Sequence, residues 1–168
     1  MVKIMYLSPV AHRAGHDDLF ADMARDYKLP GTEVHVTSLP DTVGRFNHIE
    51  YRSFEGMVTA GIIRATRAAA REGFDALVIG CFYDTALAEA REISGEMIVT
   101  APCAASCEIA ASLANRFGVI VGRRKWVDQM KATATRPWPT SSGQTRACPI
   151  SSPAISGRRS RPGAAPRG

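Results

Sequence analysis

The chain has 168 residues, of which 45% are hydrophobic, 22% charged and 7% aromatic; that suits one globular domain with an appendage and is too short for two of full size. No stretch approaches the ~20 apolar residues of a membrane span, and the apolar run at the N-terminus stops at Ser8-Pro9, so it reads as a first strand and not as a secretion signal. The net charge of +5 is unevenly spread: residues 1–130 hold all 16 acids against 14 Lys and Arg, while 131–168 hold 7 cations and no acid. The expected protein is cytoplasmic with no membrane partner, and its slightly acidic body gives no reason to expect nucleic acid.

Taken in order, short β-branched runs alternate with longer helical patterns, which predicts an α/β fold built on a doubly wound parallel sheet. The first strand is expected over residues 2–7. Leu19, Phe20, Met23 and Tyr27 then fall at helical spacing, with Asp17 and Asp18 in the first turn where the helix dipole favours acids. A second strand is expected over 33–39, followed by a long helix with the stripe Phe54, Val58, Gly61, Ile62, Ala65 and Ala69. The third strand, 76–80, is a continuous apolar run of the kind covered on both faces. Asp84 is the expected cap of a helix through Leu87 and Ala90 to about Ile93. A fourth strand over 97–101, a short helix with Ile109 and Leu113, and a fifth strand over 117–121 complete the pattern.

From residue 131 the composition changes. Ala, Arg, Pro and Ser occur six times each in the last 38 residues, with only two β-branched aliphatics. Such a segment buries too little apolar surface to offset its ordering entropy, and 131–168 is expected to be disordered.

In parallel α/β sheets the working side chains collect where strands end and loops enter helices. Cys81 stands at such an edge, after a buried strand and ahead of a helix start, where free backbone N–H groups would lower its pKa and favour a thiolate base or nucleophile. From position alone a buried, inert thiol is the commoner reading. Gly80 before it permits close approach of backbone or ligand. The pairs His12/His16 and Cys103/Cys107, each four residues apart, have metal-ligand spacing but lack a supporting carboxylate, and no metal is expected there. Arg123-Arg124-Lys125 could grip an anion, or form a solvated face.

The stretch Val78-Ile79-Gly80-Cys81-Phe82-Tyr83-Asp84, with Leu87 and Ala90-Arg91-Glu92 after it, resembles the first-cysteine motif of the aspartate/glutamate/hydantoin racemase family. The resemblance extends from the opening strand with Ser8-Pro9, through 40–50 with Gly44 and Ile49-Glu50, to Ala101-Pro102-Cys103 and Val121-Gly122-Arg123-Arg124-Lys125-Trp126. It implies a cofactor-independent racemase of amino acids or hydantoin-like compounds, with two α/β lobes and one acid/base cysteine in each. On that resemblance Cys81 is the catalytic residue of the first lobe, and Ser8, Phe82 and Tyr83 line the pocket of a small-molecule substrate. No cofactor is implied, and a homo-oligomer is compatible with it.

Two departures follow from the same comparison. The family's first strand ends in asparagines where this chain has Ser8 and Val10. The implied organisation is a first lobe over 1–103, a fragment of the second over 104–130, and the tail over 131–168, as a reading-frame shift near residue 131 would produce. Cys148, in Arg-Ala-Cys-Pro, does not match the second catalytic cysteine, and Cys103 is the one stand-in. An impaired racemase is therefore expected. The alternatives are a single-cysteine decarboxylase or isomerase of the same superfamily, and a nucleic-acid or anion binding module acting through the basic tail.

Overall fold

A computed structural model describes residues 1–11, 15–40, 48–134, 138–139 and 145–146. Along the chain run β1 (Val2–Ala11), α1 (His16–Tyr27), β2 (Thr32–Leu39), α2 (Arg52–Arg71), β3 (Ala76–Ile79), α3 (Leu87–Ile93), β4 (Ile98–Thr100), α4 (Pro102–Leu113), α5 (Lys125–Ala134), β5 (Trp138–Pro139) and β6 (Thr145–Arg146).

The first four strands form one parallel sheet in the order β2-β1-β3-β4. Leu7 sits opposite Ile79, and Ser8 opposite Ser38, so β1, β2 and β3 finish near one edge. The connection from β1 leads outward to β2, and α2 then carries the chain back across β1 to β3. The connections diverge between β1 and β3, which makes that gap the sheet's topological switch point.

Side-chain alternation shows the double winding. Tyr6 of β1 stacks on Phe20 of α1 at 4.7 Å between ring centres. Its neighbours Met5 and Leu7 share a groove with Gly61, Ala65 and Ala68 of α2. Adjacent strand residues point to opposite faces, so α1 and α2 cover different sides. On the α2 side Val58, Ile62 and Ala69 meet Leu7, Leu77 and Ile79, with Leu87 and Ala90 of α3 closing the main core. Among the described residues no helix is long and apolar enough to cross a membrane.

Four expectations need correction. The run 117–121 takes no place in the sheet. It links α4 to α5, with Phe117 and Val121 half-buried against Cys103, Cys107 and Met130, while Ile120 is 97% exposed. An apolar run is a strand only where another edge receives its backbone, and β4 is paired with β3 alone.

Helix α1 lies where expected, but its stripe is uncovered: Leu19 is 57%, Met23 48% and Tyr27 83% exposed. Phe20 makes the contact with the sheet instead. Asp84 does not cap α3, whose N-cap is Ala86. Finally, disorder does not begin at 131. Helix α5 continues to Ala134, with Met130, Thr133 and Ala134 buried at helical spacing, and β5 pairs antiparallel with β6. The remainder of that expectation falls on 135–137, 140–144 and 147–168, outside the described residues.

Leu77, fully buried in a strand with neighbours on both sides, tests the core. Leu77→Ala is expected to cost about 2–5 kcal/mol, read as a lower urea midpoint with an unchanged slope.

Candidate active site

The switch point places the end of β1 beside the turn that follows β3. Gly80 extends the pairing by donating its N–H to the Leu7 carbonyl at 2.8 Å. A Cβ on Gly80 would stand 2.5 Å from the Tyr6 hydroxyl oxygen, so glycine is required here by the ring packed against it. The close approach expected at Gly80 is thus made by Tyr6.

Cys81 to Asp84 then form a tight turn, closed by the Asp84 N–H on the Cys81 carbonyl at 3.0 Å. Asp84 and Ala86 both have positive φ, at 51° and 58°. Aspartate tolerates this conformation and alanine does so at a cost. The distortion puts the Asp84 side chain, almost wholly buried, against the start of α4. There Oδ1 accepts the Cys103 N–H at 3.0 Å and Oδ2 the Ala104 N–H at 2.8 Å. Ala101, the N-cap of α4, has no side chain able to do this, and Pro102 follows it with no N–H.

Cys81 is half-buried, against the main core. Thr85 Oγ1 donates to its sulfur at 3.6 Å, and the Tyr83 backbone N–H also bonds to it. Burial pushes the Cys81 thiol up from its ordinary value, and the Glu55 and Asp84 carboxylates add to this. The two hydrogen bonds act the other way and are outweighed. The lowered pKa expected for Cys81 is therefore corrected: α3 begins only at Leu87, so no helix N-terminus reaches the sulfur.

Ser8 is buried in the later part of β1, opposite Ser38 and just before the pairing with β2 shifts register. Tyr83 is half-buried, and its hydroxyl is pushed up to about 12 by burial first and then by Cys81, Glu50 and Glu55. Phe82 lies on the outer side of the turn, 42% exposed. The structure thus brings Cys81, Tyr83 and the end of β1 together at one edge, with Phe82 turned more to solvent.

Tyr83 also meets the ring of Trp126 edge-on at 6.2 Å. The basic triplet before α5 does not stand free as an anion grip. Lys125 Nζ lies 2.9 Å and Arg123 3.3 Å from the same Glu50 oxygen, and Lys125 sits 4.0 Å over the Tyr51 ring.

Cys103 and Cys107 are buried in a second core with Met130 and Ala134, their sulfurs 3.9 Å apart. His16 contacts Asp17 and Phe20 on α1, and His12 lies outside the described residues. Among the described residues no group of three or more His, Cys, Asp or Glu could hold a metal ion. An open hollow of about 500 Å³ exists at the opposite edge, between Phe74-Asp75 and Gly95-Glu96-Met97, remote from the thiol turn.

Sequence reasoning missed Thr85, Tyr6, Glu55 and the true role of Asp84. One signal for Asp84 was present: Ala101-Pro102 opens a helix with no capping side chain, so its N–H groups need an acceptor from elsewhere in the chain.

A thiol on the turn after a central parallel strand, at the switch point of a doubly wound sheet, defines a cysteine-centred α/β domain. The family model described as Asp/Glu/Hydantoin racemase matches residues 18–136, well over half of the chain, and the chain belongs to that family. Among solved structures it is similar to the allantoin racemase from Klebsiella pneumoniae, with a TM-score of 0.67 and 24% identity over 79% of this chain. That likeness covers 52% of the other chain, so the present chain spans about half its length. No curated protein matches.

Two outcomes test the geometry. Asp84→Ala leaves two buried helix N–H groups unpaired and is expected to cost about 2–4 kcal/mol, with Asp84→Asn milder because one acceptor oxygen remains; urea unfolding of both variants checks the order. Glu50 is held below the usual carboxyl range chiefly by its bond to Lys125, with Arg123 and His48 assisting. A lowered carboxyl contributes while ionised and loses its contribution as pH falls through the lowered value. The Glu50 carboxyl carbon should titrate below free glutamate by NMR, and Lys125→Met should raise its midpoint.

Proposed function

We propose that this chain is the cysteine-bearing lobe of a cofactor-independent racemase, with residues 1–103 as that lobe and 104–130 as the opening of a second. The substrate class is a small amino acid or hydantoin-like compound with an acidic carbon next to a carbonyl. The observation that carries the reading is the placement of Cys81 on the turn after β3, beside the end of β1, with two hydrogen-bond donors on its sulfur.

Cys81 acts as the acid/base. As thiolate it takes the proton from the α-carbon, and as thiol it returns one. Ser8 and Tyr83 flank the substrate, and Phe82 closes the outer side. Inversion requires a second group on the opposite face of the same carbon. Cys103 is buried against Cys107 in the second core, which removes it as a stand-in. Among the described residues no second thiol is placed to face Cys81 across a substrate, and on this reading Cys81 works from one face.

A one-sided thiol exchanges the α-hydrogen with retention. Single enantiomers of amino acids and of 5-substituted hydantoins, incubated in deuterated water, should gain one mass unit without losing optical rotation. Cys81→Ala should abolish the gain. Rotation lost at the rate of exchange would disprove the one-sided reading and still place Cys81 in the chemistry. No exchange from any candidate would overturn the functional reading itself. Because burial raises the Cys81 thiol, the exchange rate should climb as pH rises past the value for an ordinary cysteine.

A further inference from the structure

We propose that Thr85 is the positioning residue for the Cys81 thiolate, its buried hydroxyl holding the sulfur in the orientation and charge state that proton transfer from carbon requires. This deepens the racemase reading and rests on it for the reaction, but not for the effect on the sulfur.

Thr85 is fully buried, and a buried hydroxyl without a partner is costly. Its partner is the Cys81 sulfur, at 3.6 Å. Thr85 lies on the distorted part of the turn, directly after Asp84 in the left-handed region. The left-handed Asp84 lies within the stretch that joins the two, where the chain bends and a hydroxyl four positions after the cysteine meets its sulfur.

The surroundings of the sulfur give this hydrogen bond its weight. Glu55 approaches from α2 and Asp84 from the turn itself, each opposing a negative sulfur. Tyr6 on β1 and Tyr83 on the turn are the other titratable groups coupled to it, and both are held neutral more firmly than usual. Among the described residues no cation figures in the groups acting on the sulfur. The anion therefore depends on two donors, the Tyr83 N–H and the Thr85 hydroxyl. The first belongs to the backbone, which leaves Thr85, among the described residues, as the side chain that donates to the sulfur.

The test is the pH dependence of Cys81 alkylation by iodoacetamide on the full chain, followed by peptide mass so that other cysteines are counted separately. Thr85→Val keeps the branched shape and removes the hydroxyl. It should move the Cys81 midpoint up by about one pH unit, and slow alkylation roughly tenfold at a fixed pH below it. Thr85→Ser keeps the donor and should stay within a few tenths of a unit of the parent. If Thr85→Val does not fold, by thermal unfolding, Thr85→Ala against Thr85→Ser makes the same comparison.

An unchanged midpoint in Thr85→Val, or an equal shift in Thr85→Ser, would overturn the proposal, because the hydroxyl would then not be the operative group. A shifted midpoint in a chain that exchanges no α-hydrogen leaves Thr85 in place and removes the racemase reading. Exchange with no shift removes Thr85 alone.

Discussion

The first turn of α4 would carry two buried N–H groups without acceptors if the Asp84 carboxylate were not there. Ala101 has no capping atom, and Pro102 contributes no donor of its own, so Cys103 and Ala104 depend on an oxygen from another part of the chain. A carboxylate at a helix N-terminus is favoured by the dipole as well as by the two bonds, which are charge-assisted and stronger than neutral ones. Asp84 occupies that position with φ at 51°, and Ala86 follows at 58°. Each such residue costs on the order of 1–3 kcal/mol, which the paired carboxylate offsets. The turn that presents Cys81 is therefore fixed from its far end, by a helix that contributes nothing to the sulfur directly.

That constraint sets the electrical character of the site. The same Asp84 that ties the turn to α4 adds negative potential near the sulfur, and Glu55 adds more from α2. With burial in the same direction, the resting state is the neutral thiol, which is the acid form. The base form exists through hydrogen bonds supplied by the turn's own residues. In the proposed role, where Cys81 must both give and take a proton, its two forms need to lie within reach of each other. Here proximity to carboxylates and donation by Tyr83 and Thr85 pull in opposite directions across one atom.

Much of this was legible in the sequence where the signal is periodic burial. The α2 stripe from Val58 to Ala69 and the apolar runs of β1 and β3 appear in the structure as expected, because each is decided by packing against immediate neighbours. Cys81 was legible for the same reason, since a strand followed by Gly-Cys must end at the sheet's carboxyl edge. Features decided by distant partners were not. The α1 stripe looked like a core face, yet only Phe20 is received by the sheet. Residues 117–121 looked like a strand, yet they pair with no strand, and among the described residues the outer edge of β4 has no strand against it. The composition of the tail concealed Met130, Thr133 and Ala134, whose spacing carries α5 past the point where the proline-rich character begins.

Helix α4 joins the two cores, with Ala104 in the first, Cys103 and Cys107 in the second, and its first turn held by Asp84; α5 is attached by further contacts. Glu50 with Lys125 and Arg123, and Glu55 with Gln129, connect the start of α2 to α5 and the segment before it. Exposed ion pairs such as those of Glu50, and a single hydrogen bond from Gln129 to Glu55, contribute too little to hold a helix unaided. The apolar share comes from Tyr83, which packs with Cys103, Cys107 and Met130 while meeting Trp126 edge-on. Tyr83 is also the residue whose backbone N–H bonds to Cys81. One residue thus closes the second core with its ring and helps hold the thiol with its main chain. A shift of α5 relative to the sheet would act on the Tyr83 ring, and through the turn it would reach the donor on the sulfur. The thiol site is therefore seated at the joint between the two cores, and its geometry depends on both.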